Sequence, residues 1–436
     1  MLTERDVVRF WLPLSATWLM MAAEGPILTS IVARLPMPAI NLAAYGVAVA
    51  LAMFIEAPVI HLLSTSVSLS RDRRSFARIR TFMWWLNAWV TFGMIVVTIP
   101  QIYDVLAVNI ISLPKQVSET MYAGLVCMIP WPAAIGYRRF YQGLLIRAGL
   151  TRRVAYGTVI RLSTMLLAAT TLVSLGNYGG VVIGTLSLSV GVICEAIATR
   201  LMAGSTIRRL EQGTDEPPTY GEITRFHVPL ALTSIMGFVV TPMIAFFLGR
   251  APMAVESLAV LPVVDSLVFL FRSLGFSYQE VGIALMGEKR KNYDVLRRVG
   301  KNIIIGTTIA LGLLAFTPLA DIVYRHVYGL SDRLVDVALL PTQILTLLPA
   351  LAVLYSLQRA VLITARRNVA VTWSTITEVG FIALVMAALV PFAPWNGAIS
   401  AAIAMVVGRV LANVYLRRSV LALGPIPERP KETGTA

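Results

Sequence analysis

The residues of this chain that could do chemistry are charges set where water is scarce. Glu24, Glu56, Glu195, Asp265 and Glu378, with Arg138, Arg139, Arg161, Arg200, Arg272, Arg359 and Arg409, all fall inside long apolar runs. An ionisable side chain at the centre of a membrane helix costs about 2.5 kcal/mol or more, and usually faces an aqueous cavity or a partner of opposite sign. Arginine forks match carboxylate and phosphate geometry, so Arg138, Arg139, Arg272 and Arg359 are candidate contacts for an anionic small-molecule substrate. Glu24, Glu56 and Asp265 could instead bind a coupling proton or sodium ion, or a cationic substrate. Glu24 stands directly before Gly25-Pro26, and a proline inside a helix removes one backbone hydrogen bond and bends it. Pro26 and its counterpart Pro242 are therefore candidate hinges, against the plainer reading of static shape. Arg200 and Arg409 stand near enough to a span's end to snorkel to the surface.

Other chemistries lack their residues. There is no GxxxxGK[ST] phosphate loop, HExxH or GxSxG. His61, His227 and His326 are scattered, and Cys127 and Cys194 show neither disulfide nor metal spacing. The expectation is a chain that is not an enzyme and has no cofactor, metal or nucleotide motor of its own.

The elements that must position these charges are membrane helices. Of the 436 residues, 57% are hydrophobic and 14% charged, where a soluble domain carries roughly a quarter charged. Apolar runs of about 20 residues match a helix crossing ~30 Å of hydrocarbon, whereas barrel strands would read as alternating ten-residue segments. Spans are expected at roughly 8–33, 39–63, 81–106, 119–146, 154–175, 179–203, 226–249, 254–282, 299–320, 334–363, 369–391 and 397–416. The connections sort the basic residues: twenty-five of the 37 Lys and Arg fall on the side that holds both termini, and five on the other. That bias predicts cytoplasmic termini in a cell membrane. It also accounts for the net charge of +14 without nucleic acid as a partner. Trp84, Trp85 and Trp89 read as an interfacial belt or lipid-facing surface, and Gly176, Gly180 and Gly184 as a helix-packing stripe.

Sliding the chain on itself by 216 residues reveals a repeat. Arg9-Phe10 meets Arg225-Phe226, Pro13-Leu14 meets Pro229-Leu230, and Thr17 and Met20 meet Thr233 and Met236. Pro26 meets Pro242, Arg34 meets Arg250, Pro36-Met37 meets Pro252-Met253, and Leu42-Ala43 meets Leu258-Ala259. An offset of 217 aligns later spans, as at Gly191 and Gly408. The fold class predicted is all-α integral membrane: twelve transmembrane helices in two homologous six-helix bundles, related by a pseudo-two-fold axis along the membrane normal. The expected organisation is an N-terminal lobe over 1–203, a cytoplasmic linker over 204–224, a C-terminal lobe over 225–418 and a disordered tail over 419–436. The repeat sets Glu56 opposite Arg272, and Arg161 opposite Glu378. If equivalent helices meet across the axis, these pairs are gates; the rival is pairing within each lobe.

Several segments carry a family resemblance. Gln142-Gly143-Leu144-Leu145-Ile146-Arg147-Ala148-Gly149-Leu150-Thr151-Arg152 resembles the turn between spans four and five of the multidrug/oligosaccharidyl-lipid/polysaccharide (MOP) exporter superfamily, which includes the multidrug and toxic compound extrusion (MATE) transporters. Phe10-Trp11-Leu12-Pro13-Leu14, Ala44-Tyr45-Gly46-Val47-Ala48, Ser70-Arg71-Asp72-Arg73-Arg74 and Val228-Pro229-Leu230-Ala231-Leu232 are similar to the progressive ankylosis protein family within it. The resemblance implies a membrane carrier that moves small organic or phosphorylated anions outward, such as citrate, pyrophosphate or nucleotides; the expectation is a monomer working by alternating access between two lobes. Proton- or sodium-coupled multidrug efflux and a lipid-linked substrate flippase are the alternatives.

Overall fold

Thr3 opens the first helix by accepting from the Asp6 amide while Asp6 caps the Thr3 amide, and Thr219 and Glu222 repeat the same reciprocal cap at the head of the second half. These two boxes are 216 residues apart, so the repeat is written into the backbone from its first turn. In the computed structural model, which describes residues 2–211, 216–287, 290–365 and 367–424, the chain is almost wholly helical.

Ten helices among the described residues are long and apolar enough to cross a membrane. They are spans one (Glu4–Ala33), two (Pro38–Leu69), five (Thr151–Leu175), six (Gly180–Arg208), seven (Tyr220–Leu248), eight (Ala254–Leu285), nine (Tyr293–Ala315), ten (Asp332–Thr364), eleven (Val369–Leu389) and twelve (Gly397–Leu421). Span three is Arg73–Val97, followed after a 75° bend by the short helix Pro100–Ile110. Span four joins Lys115–Cys127 to Trp131–Arg147, and Arg138 and Arg139 lower its apolarity. The twelve spans form two six-helix lobes, with both ends of the described chain on one face, called here the chain-end face.

Several boundaries differ from expectation. Span three starts at Arg73 because Asp72 and Ser75 cap it reciprocally, so Arg73 to Arg80 are helical rather than loop. It also ends earlier, at Val97, because Pro100 starts a new helix in another direction. Span six extends to Arg208 and span seven begins at Tyr220, which shortens the connection at both ends. Span twelve continues to Leu421, past the expected start of the tail. Residues 212–215 of the linker and 425–436 of the tail lie outside the described residues.

Both first spans break three residues before their prolines. Span one divides into Glu4–Ala22 and Glu24–Ala33, and span seven into Tyr220–Phe238 and Val240–Leu248. The rings of Pro26 and Pro242 crowd the carbonyls four residues back, which ends the preceding helix there. Pro13 and Pro229 stay inside continuous helix.

Spans two and eight cross on the axis. A Cβ on Gly46 would lie 2.8 Å from Cγ of Pro262, and these two positions are themselves 216 residues apart. A residue that touches its own repeat equivalent must sit on the symmetry axis, and only glycine permits this approach. Below the crossing the helices part. The first helix of span two stops at Glu56 and the span turns through Ala57–Val59, where Pro58 interrupts it, whereas span eight runs on unbroken to Leu285. In the chain-end half, each first span leans on the other lobe. Trp11 Nε1 donates to Ser277 Oγ at 2.8 Å and to the Leu274 carbonyl at 3.4 Å. His227 Nε2 lies 2.9 Å from the Pro58 carbonyl, and its Nδ1 lies 2.9 Å from Thr65 Oγ1.

Candidate functional site

The N-terminal lobe encloses a connected set of charges. Glu195 of span six is fully buried and accepts from Arg138 of span four at 2.6 Å and from Gln142 Nε2 at 3.1 Å. Arg161 of span five lies 3.8 Å from Glu195 and donates to Glu24 at the break in span one. Its guanidinium also sits 5.6 Å from the centre of the Trp131 ring. Glu56 is buried nearby among the fields of Arg138, Arg139 and Arg161, with no ion pair of its own among the described residues. Three carboxylates thus face three arginines, and the set is close to neutral when all are ionised. Because a buried charge is tolerated only when matched, this network ties spans one, four, five and six into one block.

The C-terminal lobe distributes its charges in pairs. Glu378 of span eleven receives Arg409 of span twelve at 2.8 Å. Arg272 holds Asp265 at 3.0 Å, two turns away on the same span. The Asp265 side chain is 44% exposed, so this pair reaches the lobe's surface. Around it stand Phe269, Phe276 and Trp18, the last contributed by the other lobe. Arg359 and Arg409 lie 5.2 and 4.5 Å from the centre of the Tyr355 ring. Among the described residues, Arg359 has no carboxylate within ion-pair distance, and its Nε is buried without a protein partner.

The cross-lobe pairs do not form in this conformation. Glu56 belongs to the N-terminal network while Arg272 holds Asp265. Arg161 takes Glu24, and Glu378 takes Arg409. The reason is geometric: repeat equivalents meet only where both lie on the axis, and Glu56 and Arg272 come ten residues past the Gly46–Pro262 crossing. Spans five and eleven pack inside their own lobes, against spans six and twelve. Arg409 is not snorkelling either, since its side chain is 12% exposed and paired.

Sequence reasoning left Glu195 and Gln142 out of the candidate site, although each stands one helix face from a named arginine. Gln142 lies one turn from Arg138 on span four, a spacing the sequence does show; what no spacing encodes is the contact of Glu195, on span six, with span four. Gly180 and Gly184 do pack closely, against Asn41 and Tyr45 of span two. Trp84, Trp85 and Trp89 are exposed on the outside of span three.

Comparison with family models and with curated proteins finds no match. Solved structures do match. One is an inward-facing multidrug resistance MATE family transporter of the MOP superfamily, at TM-score 0.72 and 14% identity over 93% of this chain and 95% of that one. Another is the lipid II flippase MurJ in an inward closed conformation, at TM-score 0.69 and 14% identity over 94% of this chain and 87% of that one. The chain has the fold of the MOP-superfamily transporters. An outward-facing MATE transporter also shares this MOP fold, at TM-score 0.62 and 13% identity over 97% of each chain. At these identities the likeness is one of MOP architecture, and it transfers no residue roles.

Proposed function

We propose that this protein is a secondary-type carrier that exports small organic or phosphorylated anions by alternating access between its two lobes. The observation that carries the anionic reading is Arg359. In the N-terminal lobe Arg139 also lacks an ion pair among the described residues but lies in the fields of Glu195 and Glu56. In the C-terminal lobe Arg272 and Arg409 each have a carboxylate partner, while Arg359, among the described residues, stands as a fixed positive charge at membrane depth. A cation held there without a counter-charge is costly unless an anion visits it. The resemblance to the progressive ankylosis family points to the same substrate class.

Coupling is assigned to Glu24. It stands at the break in span one and binds Arg161, while a Cβ on the next residue, Gly25, would lie 2.9 Å from Cβ of Ser266 in the other lobe. Neutralising Glu24 would release Arg161 beside the point where the lobes touch, with Pro26 and Pro242 serving as the hinges. The charge bias of the connections supports cytoplasmic termini in a cell membrane, the protein acting as a monomer. Slow external labelling of Thr219→Cys in intact cells checks that orientation.

A lipid-linked flippase is the second reading. It is favoured by a crevice of about 450 Å³ between span one and spans eight and nine, lined by Trp11, Phe271, Leu274 and Ile303.

The deciding experiment is flux in proteoliposomes with labelled citrate, pyrophosphate, a lipid-linked sugar and a lipophilic cation, with and without proton and sodium gradients. Saturable anion flux that Arg359→Gln weakens is expected. Cation flux alone, under a gradient, would replace the anion reading with multidrug efflux.

A further inference from the structure

On the face away from the chain ends, the lobes are joined by two contacts that are images of each other. Arg34, at the end of span one, sends Nη2 to the carbonyls of His326 and Val327, each at 2.7 Å, and Nη1 to the Tyr328 carbonyl at 3.3 Å. These acceptors close the π-helical turn Val323–Tyr328 of the C-terminal lobe. Arg250, at the end of span seven, sends Nη2 to the Ile110 carbonyl at 2.7 Å and Nη1 to the Ile111 carbonyl at 3.1 Å. Those acceptors close the π-helical turn Val105–Ile110 of the N-terminal lobe. Each arginine also binds the carbonyl four residues back in its own helix, Ser30 at 2.7 Å and Phe246 at 2.8 Å.

Arg34 and Arg250, Ser30 and Phe246, Ile110 and His326, and Ile111 and Val327 are all 216 residues apart. The same donor reaches the same acceptors in both directions across the axis. The acceptors are the carbonyls a helix leaves unpaired at its C-terminal end, where the backbone carries partial negative charge. A planar guanidinium with several donors can satisfy two or three of them at once, which a lysine cannot.

We infer that Arg34 and Arg250 form a two-part latch that closes the face away from the chain ends, and that both arginines must release for that face to open. Its role in transport rests on the carrier reading above; the latch itself rests on geometry alone. The backbone supports it. A Cβ on Gly249 would lie 2.4 Å from the Ile111 carbonyl oxygen and 2.9 Å from that of Ser112, so the end of span seven docks on the opposite turn with no room for a side chain.

The test measures distances across this face. Spin labels at Lys115→Cys and Phe392→Cys, one on each lobe, are placed in a Cys127→Ser, Cys194→Ser background reconstituted in lipid. The parent should give a distribution dominated by the closed distance. Arg34→Gln or Arg250→Gln should each shift the closed-to-open ratio by roughly tenfold, the scale of hydrogen bonds to a charged group, and the double variant should combine both shifts. Arg34→Lys should not restore closure. Gly249→Val, which leaves both arginines in place, should open the same face and provides a second route if the double variant does not fold. An unchanged distribution in the folded single variants and in Gly249→Val overturns the latch. Absence of anion flux in the parent, with the distance shifts intact, would instead sink the proposed function and leave the latch standing.

Discussion

The two lobes share a backbone and differ in how they spend their charge. Spans five and six in one lobe and eleven and twelve in the other are repeat equivalents, and each couple is bridged by an arginine and a glutamate. The polarity is reversed: Arg161 faces Glu195, whereas Glu378 faces Arg409. The N-terminal lobe extends its bridge into a network through Arg138, Gln142 and Glu24. The C-terminal lobe stops at two pairs that share no hydrogen bond and, among the described residues, leaves Arg359 over. Position 359 is the 217-residue counterpart of Gln142, so one lobe places a neutral amide on a carboxylate where the other places an unmatched cation. The difference suggests a division of labour between a block whose charges hold it together and a lobe with charge to spare for a ligand.

The comparison breaks most readily at Glu195. Glu195→Gln should strand Arg138 and loosen Arg161, lowering stability by about 3–5 kcal/mol, the cost of removing one member of a buried pair. Thermal unfolding in detergent measures it, and Arg138→Gln with Glu195→Gln should cost less than the two single changes added. A small effect from Glu195→Gln would mean that the network does not hold the lobe.

Arg409→Gln removes half of the corresponding C-terminal bridge. Its pair is not hydrogen-bonded into a wider set and is slightly more accessible, so the expected loss is about 1–2 kcal/mol. The exchange Glu378→Arg with Arg409→Glu gives this bridge the polarity of its N-terminal counterpart and should recover most of the loss. Equal losses at Glu195 and Arg409 would erase the contrast between network and pair.

Arg359→Gln installs the residue that the N-terminal lobe carries at the equivalent position. Stability should hold or rise, because the change removes an unmatched charge at membrane depth, while the KM for anion flux rises roughly tenfold or more. A large fall in stability with unchanged KM would make Arg359 structural. The smallest effect is expected at Trp85, exposed on the outside of span three. Trp85→Ala should leave flux unchanged and stability within about 0.5 kcal/mol.

The sequence by itself determined the membrane class, the two six-helix halves, the proline breaks and the placement of the charges inside long apolar helices. All four follow from local or periodic signals: apolar run length, the 216-residue identities, the missing amide of proline and the cost of a charge in hydrocarbon. The same repeat held Arg34 and Arg250 in plain view, but not the acceptors that give them a role. What the tertiary structure alone decided was partnership. Repeat arithmetic placed Glu56 against Arg272 and Arg161 against Glu378, yet each found a partner or a field inside its own lobe. Symmetry brings equivalent residues together only on the axis, as at Gly46 and Pro262. Elsewhere, a charge pairs with whichever helix packs against it, and that choice depends on helix rotation, on the break at Pro58 and on neighbours far away in the chain.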